Sequence, residues 1–478
     1  MKRFALIAVA AFAAACGGGS KKAPATCYET GCPTGQSCES VQNAAPACFS
    51  PVLLRGGVSD PTTAPATLLN GARVVALDSN RAPMSTVATS ANNGTSDGQY
   101  ELQVRAARDA SGKPLQTFVT LNAAAQGYAT FPSGIRPALP IDLSKAVSNG
   151  ANWVVDGTVT GAATDIELLP AANASATAQI HGSVTGGPSG SGVLVVAVPV
   201  GGGAGVSGIA DGSGNFVVFN LLPGTTYVVT AYVKGANYTP VTTAALAAGD
   251  NAVAALGVAA GAGAAFSGNL IPNNNPNPNF QVTLVPDSTY VVTLDRGDSV
   301  PGLTVDVAGW GYSFTGVPDG TYRVLAAFGL DGDVRDIGTG GNTASPLVTV
   351  TGGAVTATPT GFKIIPAVNL TLIDGQAVSA TPTVVTTATP VFTWASESSY
   401  SAAATYRVEV FDAYGKNMMK LDQAAASGTT ATYSGTALTP GMTYQLRITA
   451  FKETVTELVT LAGTAQSYTE DLGGVFTY

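Results

Sequence analysis

The sequence predicts an all-β protein, with β-sandwich domains in tandem behind an export signal and a small disulfide-rich segment. Three observations predict it. Turn formers and strand formers are abundant together, with 57 Gly and 28 Pro among 478 residues rich in Thr and Val. The apolar runs are short and keep a period of two. The same succession of strand, turn and aromatic residue returns several times along the chain.

The first element is the export signal. Lys2 and Arg3 precede "FALIAVAAFAAA", a run too short to cross a hydrocarbon core of about 30 Å at ~1.5 Å per residue. A basic start, a short apolar run and small residues at its exit make a secretory signal. Plain cleavage behind Ala13–Ala15 is one reading of that exit. The other follows from Cys16 in "AAACGGGS", which resembles a bacterial lipobox, although Ala13 stands where Leu is usual. The resemblance implies a lipoprotein signal peptide over 1–15, an acylated Cys16 as the new N-terminus, and a membrane partner through that lipid anchor. "GGGSKKAPA" then reads as a flexible tether, and stable anchoring takes more than one acyl chain.

The tether leads into a cysteine-rich segment, the two together covering 16–50. Cys27, Cys32, Cys38 and Cys48 are the remaining cysteines of the chain. In an exported protein they read as two disulfides, with three connectivities open. A Cys₄ zinc site is the rival, but the spacings of four, five and nine residues fit zinc ribbons poorly. The segment "CPTGQSC" resembles short pieces found behind the lipobox in some bacterial surface lipoproteins.

Three sandwiches are expected next, over 52–176, 177–262 and 263–366. Their strands read "LLRGGVSD", "GARVVALD" and "TSDGQYELQV"; then "AQIHGSVT", "SGVLVVAVP" and "GNFVVFNLLPGTTYVVTAYV"; then "AAFSGNL", "FQVTLVP" and "GYSFTGVPDGTYRVLAAF". A glycine turn delivers Tyr100, Phe216 and Tyr312 to a strand. A proline turn then delivers Tyr227 and Tyr322. The most apolar later stretch, "AVAALGVAAGAGAAF", reads as strand, linker and strand rather than a membrane span. "DGSGNFVVFNLLPGTTYVVTAY" resembles the carboxypeptidase regulatory-like domain, a transthyretin-like sandwich. The second copy matches best; the first replaces the proline turn with "AARDASGKPLQTFVT". That resemblance implies rigid, non-catalytic spacer or binding modules.

The last domain, 367–478, changes character. "TPVFTWA", "ATYRVEVFDAYG" and "LTPGMTYQLRITAF" resemble strands of a fibronectin type III-like sandwich, with Trp394 as its core tryptophan and Tyr444 as its corner tyrosine. Alternation turns Tyr406, Val408 and Val410 inward with Tyr444, Leu446 and Ile448. It turns Arg407, Glu409, Gln445 and Arg447 outward. The order of repeats, final sandwich and "SYTEDLGGVFTY" resembles a family of uncharacterised bacterial surface lipoproteins.

Chemistry is sparse. Charged residues make up 11% of the chain and the net charge is −8, which excludes a basic footprint for nucleic acid. His181 is the one histidine, lies in an alternating strand, and has no nucleophile elbow to serve. No cofactor motif is present; calcium is the one ion the acidic loops suggest. "LDGDVRDIGTGG" gathers Asp331, Asp333 and Asp336, but Arg335 and Asn342 stand where an EF-hand loop needs a ligand and a glutamate. Asp211, Ser213 and Asn215 in "DGSGN" read as a hairpin turn. Arg296-Gly297-Asp298-Ser299 is an integrin-type tetrapeptide, expected in an exposed turn. The function expected is a non-catalytic lipoprotein of the bacterial cell envelope, at the outer membrane or cell surface. It would be a structural, adhesive or ligand-binding rod with an envelope protein or glycan as ligand. The alternative is a carboxylate-dependent hydrolase of glycans or peptides acting in an inter-domain cleft.

Overall fold

The computed structural model describes residues 26–63, 65–78, 82–92, 94–132, 140–159, 164–187, 192–259, 261, 263–271, 281–291, 297–307, 309–327, 333–335, 346–356, 361–379, 382–395, 403–412, 416–460, 465–470 and 473–478. The expected signal segment and Cys16 lie outside them, as do Asp331, Asp336 and Arg296. Of Asp333 only the backbone, in the strand Asp333–Arg335, is described. Among the described residues no helix is long and apolar enough to cross a membrane.

The fold is all-β. Four hydrophobic cores succeed one another along the chain, built from residues 52–168, 178–256, 264–364 and 368–476. We call the units around them modules one to four, and the segment 26–50 the neck. Each of the first three modules is organised on its first strand: Val52–Asp60, Ala178–Thr185 and Ala264–Ile271. On one side that strand takes an antiparallel neighbour that begins with the aromatic: Gln99–Val104, Asn215–Leu221 or Gly311–Val317. On the other it takes a parallel neighbour from the end of the module: Trp153–Val155, Gly249–Ala252 or Phe362–Pro366. The end of each module therefore returns to its beginning, which lets one module follow another.

A glycine meets the aromatic in all three copies. Gly56 stands opposite Tyr100, Gly182 opposite Phe216, and Gly268 opposite Tyr312. The ring lies across the strand where a side chain would otherwise stand. A Cβ on Gly182 would come within 2.7 Å of the Phe216 ring, and one on Gly268 would collide with the hydroxyl end of Tyr312. Burial pushes the Tyr312 phenol well above its ordinary pKa.

A second tyrosine is fixed to the turn that precedes it. The Leu222 N–H donates to the Tyr227 hydroxyl at 3.0 Å, and the Thr439 N–H donates to the Tyr444 hydroxyl at 2.6 Å. The Tyr322 hydroxyl donates to the Pro318 carbonyl at 2.8 Å. The proline turns of modules two, three and four thus share one device, and the corner expected at Tyr444 is present.

The fourth module has Trp394 buried at 1% exposure, edge-on to Tyr406 with ring centroids 5.3 Å apart. Tyr406, Val408, Val410, Tyr444, Leu446 and Ile448 all enter its core, as the alternation requires. Gln445 corrects the pattern. It points away from that core yet is buried, because it lies in the sheet between Phe411 and Val475 and the outer face is covered there.

Arg73–Leu77 and Leu194–Pro199 are among the strands that bury both faces. Arg73–Leu77 buries Val75 and Leu77 as well as the core residues Val74 and Ala76; Leu194–Pro199 buries Leu194 and Val196 as well as Val195 and Ala197. An antiparallel strand reads this way only when both faces are covered, and here the second cover is a neighbouring module.

The glycine–aromatic pair yields a test. Gly268→Ala should destabilise the third module by about 1–3 kcal/mol through overpacking, read as a lower melting temperature. Tyr312→Phe removes the nearest colliding atom, so the double variant should regain part of the loss. Melting of Gly268→Ala at the wild-type temperature would refute the ring placement.

Candidate functional site

The neck is a hairpin, Ser37–Val41 against Ala44–Phe49, stapled by Cys27–Cys38 and Cys32–Cys48 with Cα atoms 5.5 and 5.6 Å apart. Cys38 and Cys48 face each other across the hairpin, so each strand anchors one bridge. The sulfurs of Cys27, Cys32 and Cys38 lie within metal-binding distance of one another. All three are spent in disulfides, which leaves no thiolate for the zinc alternative.

The hairpin docks on module one through a buried ion pair. Arg108 Nε lies 2.5 Å from Glu39 Oε2, with both side chains at 1% exposure. The Ser37 hydroxyl donates to the other Glu39 oxygen at 2.8 Å. Arg108 also donates to the Ser50 carbonyl at 2.9 Å and stacks over Phe49 at 5.3 Å. A charge pair this dry holds only where the remaining hydrogen bonds are met. In the sequence Arg108 is marked only by "AARD" beside the weakest repeat.

A cleft of about 430 Å³ opens where modules one, two and three meet. Val75, Leu77 and Leu194 form apolar wall, and among the described residues Phe219 is its one aromatic. Arg73 crosses it, donating to the Ile209 and Asn215 carbonyls at 3.2 and 3.0 Å with Asp211 3.9 Å away. Burial lowers the pKa of this guanidinium from its ordinary value, against the pull of Asp211. From module three, Asp298 accepts a hydrogen bond from the Ser207 hydroxyl, and the Ser288 carbonyl accepts one from the Gly205 N–H at 2.7 Å.

Asp298 and Ser299 belong to the integrin-type tetrapeptide, and the expectation of an exposed turn is corrected here. Ser299 is buried and Asp298 half-buried, because this stretch packs against module two. The cleft gains its polar floor from a segment that the sequence presents as a free loop.

Of the other candidates, His181 does not line the cleft, whereas Asp211 and Asn215 sit against Arg73 at its edge. His181 is exposed, with Nδ1 2.8 Å from Asp250 Oδ1 on the adjacent parallel strand. Asp250 also accepts from Gln179 at 3.0 Å, and these bonds hold its carboxyl below the ordinary pKa. No Ser, Thr or Cys side chain bonds to that histidine among the described residues. Asp211 accepts the Ser213 and Asn215 N–H groups at 2.9 and 3.0 Å, which is the expected hairpin turn. Of the calcium candidates, Asp331 and Asp336 lie outside the described residues and nothing is described of the Asp333 side chain.

No family model and no curated protein matches the chain. Solved structures with similarity include a two-domain fibronectin type III segment of chicken tenascin, at 14% identity, 46% of this chain, 95% of that chain and a TM-score of 0.16. A streptococcal ancillary pilin follows at 11% identity, 66% of this chain, 99% of that chain and 0.17. A tetra-tandem repeat from the extending region of a large adhesion protein follows at 14%, 87%, 97% and 0.13. Likenesses this slight carry no argument about what this chain binds.

Two outcomes test the neck docking and the hydrogen bonds of Asp60. Arg108→Met leaves Glu39 buried and unpaired, so neck docking should weaken by about 3–5 kcal/mol, seen as rapid proteolysis of the neck. Glu39→Leu with Arg108→Met should restore much of the protection. An unchanged digestion pattern in Arg108→Met would rule out docking through this pair. The second concerns Asp60, whose carboxyl lies below the ordinary 3.8 because it accepts from the Thr62 hydroxyl, the Thr62 N–H and the Tyr128 hydroxyl, against the effect of burial. A depressed carboxyl contributes stability above its unfolded pKa and loses it as pH falls through the folded value. Denaturant midpoints from about pH 6 to pH 3 should therefore fall less steeply in Asp60→Asn than in wild type.

Proposed function

We propose that the protein is a non-catalytic, lipid-anchored stalk of the bacterial cell envelope, in which β-sandwich modules hold an adhesive or ligand-binding surface away from the membrane. The observation that carries this reading is the docking of the stapled neck: the segment next to the expected anchor is welded to module one by the buried Arg108–Glu39 pair. A weld at that point makes the stapled neck part of the folded body, so the expected tether alone separates that body from the anchor.

The resemblance to carboxypeptidase regulatory-like repeats and a fibronectin type III-like end module agrees with the all-β, multi-core architecture. Recognition of an envelope protein or glycan falls to surfaces between and at the ends of the modules. The hydrolase alternative requires two carboxylates across a cleft. The described lining of the cleft brings Asp298 alone, beside Arg73.

Detergent phase partitioning of wild type against Cys16→Ala tests the anchor. Wild type should enter the detergent phase and carry lipid label, and the variant should do neither. A variant that stays in the detergent phase with its label intact would overturn it.

A further inference from the structure

We infer that the first three modules are coupled in series by one reused docking joint and, with the docked neck, move as a single body. In the joint, the glycine turn of one unit seats on the end of the aromatic-led strand of the next. Its two copies share a glycine turn and a left-handed residue at the penultimate position of the receiving strand.

Between modules one and two, the turn is Gln126-Gly127, following the strand Phe118–Ala124. The Gly127 N–H donates to Asn220 Oδ1 at 2.8 Å, and Asn220 Nδ2 donates back to the Tyr128 carbonyl at 2.8 Å. The Asn220 N–H donates to Gln126 Oε1 at 3.1 Å. Between modules two and three, the turn is Lys234-Gly235, following Tyr227–Val233. The Gly235 N–H donates to the Gly316 carbonyl at 2.7 Å, and the Lys234 N–H to the Pro301 carbonyl at 3.0 Å.

The sockets are equivalent. Asn220 and Gly316 are each the penultimate residue of the aromatic-led strand, and both are left-handed, at φ 60° and 70°. The plugs are equivalent too, with Gly127 and Gly235 at φ 84° and 83°. The residue in the socket follows from the gap. At the second joint the backbones touch, and a Cβ on Gly316 would lie 3.1 Å from the Gly235 nitrogen. At the first joint the gap is one side chain wide, and an asparagine amide fills it with a donor and an acceptor. Asparagine also tolerates the left-handed backbone better than most residues.

The neck docks on module one by a different contact, beyond the end of its aromatic-led strand. Its hairpin turn, with Asn43 left-handed at φ 58°, lies beside Arg108, just beyond the strand Gln99–Val104. The Gln42 N–H donates to the Arg108 carbonyl at 2.8 Å, and the Arg108 N–H to the Ser40 carbonyl at 2.9 Å. Each joint satisfies backbone groups on both sides, so bending it open strands them. Relative motion is the default for modules joined only by linkers; these joints, backed by the two-sided strands, remove that freedom. The cleft is consequently preformed. This deepens the stalk reading and rests on it for purpose, but it concerns coupling and not the anchor.

Hydrogen exchange with mass spectrometry on the full chain tests the joint, with backbone amides as the probe. In wild type, the peptides spanning 125–128 and 234–237 should exchange as slowly as the strands before them. Asn220→Gly keeps the backbone free of strain while removing the amide. It should speed exchange at 125–128 by about tenfold and leave the strands Phe118–Ala124 and Asn215–Leu221 protected. Gly316→Ala should act in the same way on 234–237 alone. Free exchange of both turns in wild type overturns the inference, whatever the variants do. So does an unchanged rate in a variant whose strands stay protected. Partitioning of Cys16→Ala reports on the anchor separately, so either idea can fail without the other.

Discussion

The structure depends on a ring laid over a glycine. In each of the first three modules the central strand would have to choose between a side chain of its own and the aromatic arriving from its neighbour. Gly56, Gly182 and Gly268 settle the choice by having no side chain. Glycine ordinarily weakens a strand, since it loses backbone entropy and packs nothing. Covering it with Tyr100, Phe216 or Tyr312 offsets that deficit and, in modules two and three, fixes register, because a slip of one residue would bring the ring against His181 or Ser183, or against Ser267 or Asn269. Once register is fixed, the proline turn and its tyrosine follow on the correct face.

Register then decides which faces are left over, and the leftover faces assemble the modules. Arg73–Leu77 and Leu194–Pro199 carry apolar residues on both sides, so an isolated module would expose one sticky face. Stacking covers it, and the polar turns at the joints orient the stack. Apolar area supplies the affinity between modules, while hydrogen bonds to Asn220 and Gly316 supply the geometry. The cleft is the space that this packing leaves, which explains why its walls come from strands and its polar floor from a loop of module three.

Charge is placed with the same economy. The pairs at Arg55–Glu101 and His181–Asp250 are open to solvent, where such pairs contribute little. Arg108–Glu39 is dry, so its loss is costly although its making adds little beyond an apolar pair. A pair of that kind serves specificity: only the neck hairpin, correctly stapled, brings a carboxylate to Arg108. The same chain thus keeps these exposed pairs undemanding and places a buried pair where orientation matters.

The sequence by itself determined the strands, their inward faces and the all-β class, because period-two alternation and turn chemistry are local. It placed Trp394 and Tyr444 in a core, Tyr100, Phe216 and Tyr312 at strand starts, and two bridges among Cys27, Cys32, Cys38 and Cys48. Which cysteine pairs with which belongs to the folded neck, where Cys27 bonds Cys38 and Cys32 bonds Cys48. Gln445, Ser299 and Arg108 were decided by tertiary structure as well. Each is polar and looks exposed by its neighbours in sequence, yet each is buried by a segment dozens of residues away or by a neighbouring module. Alternation tells which side of a strand faces its own core. It says nothing of what covers the other side, and the cleft, the joints and the neck weld all lie on that other side.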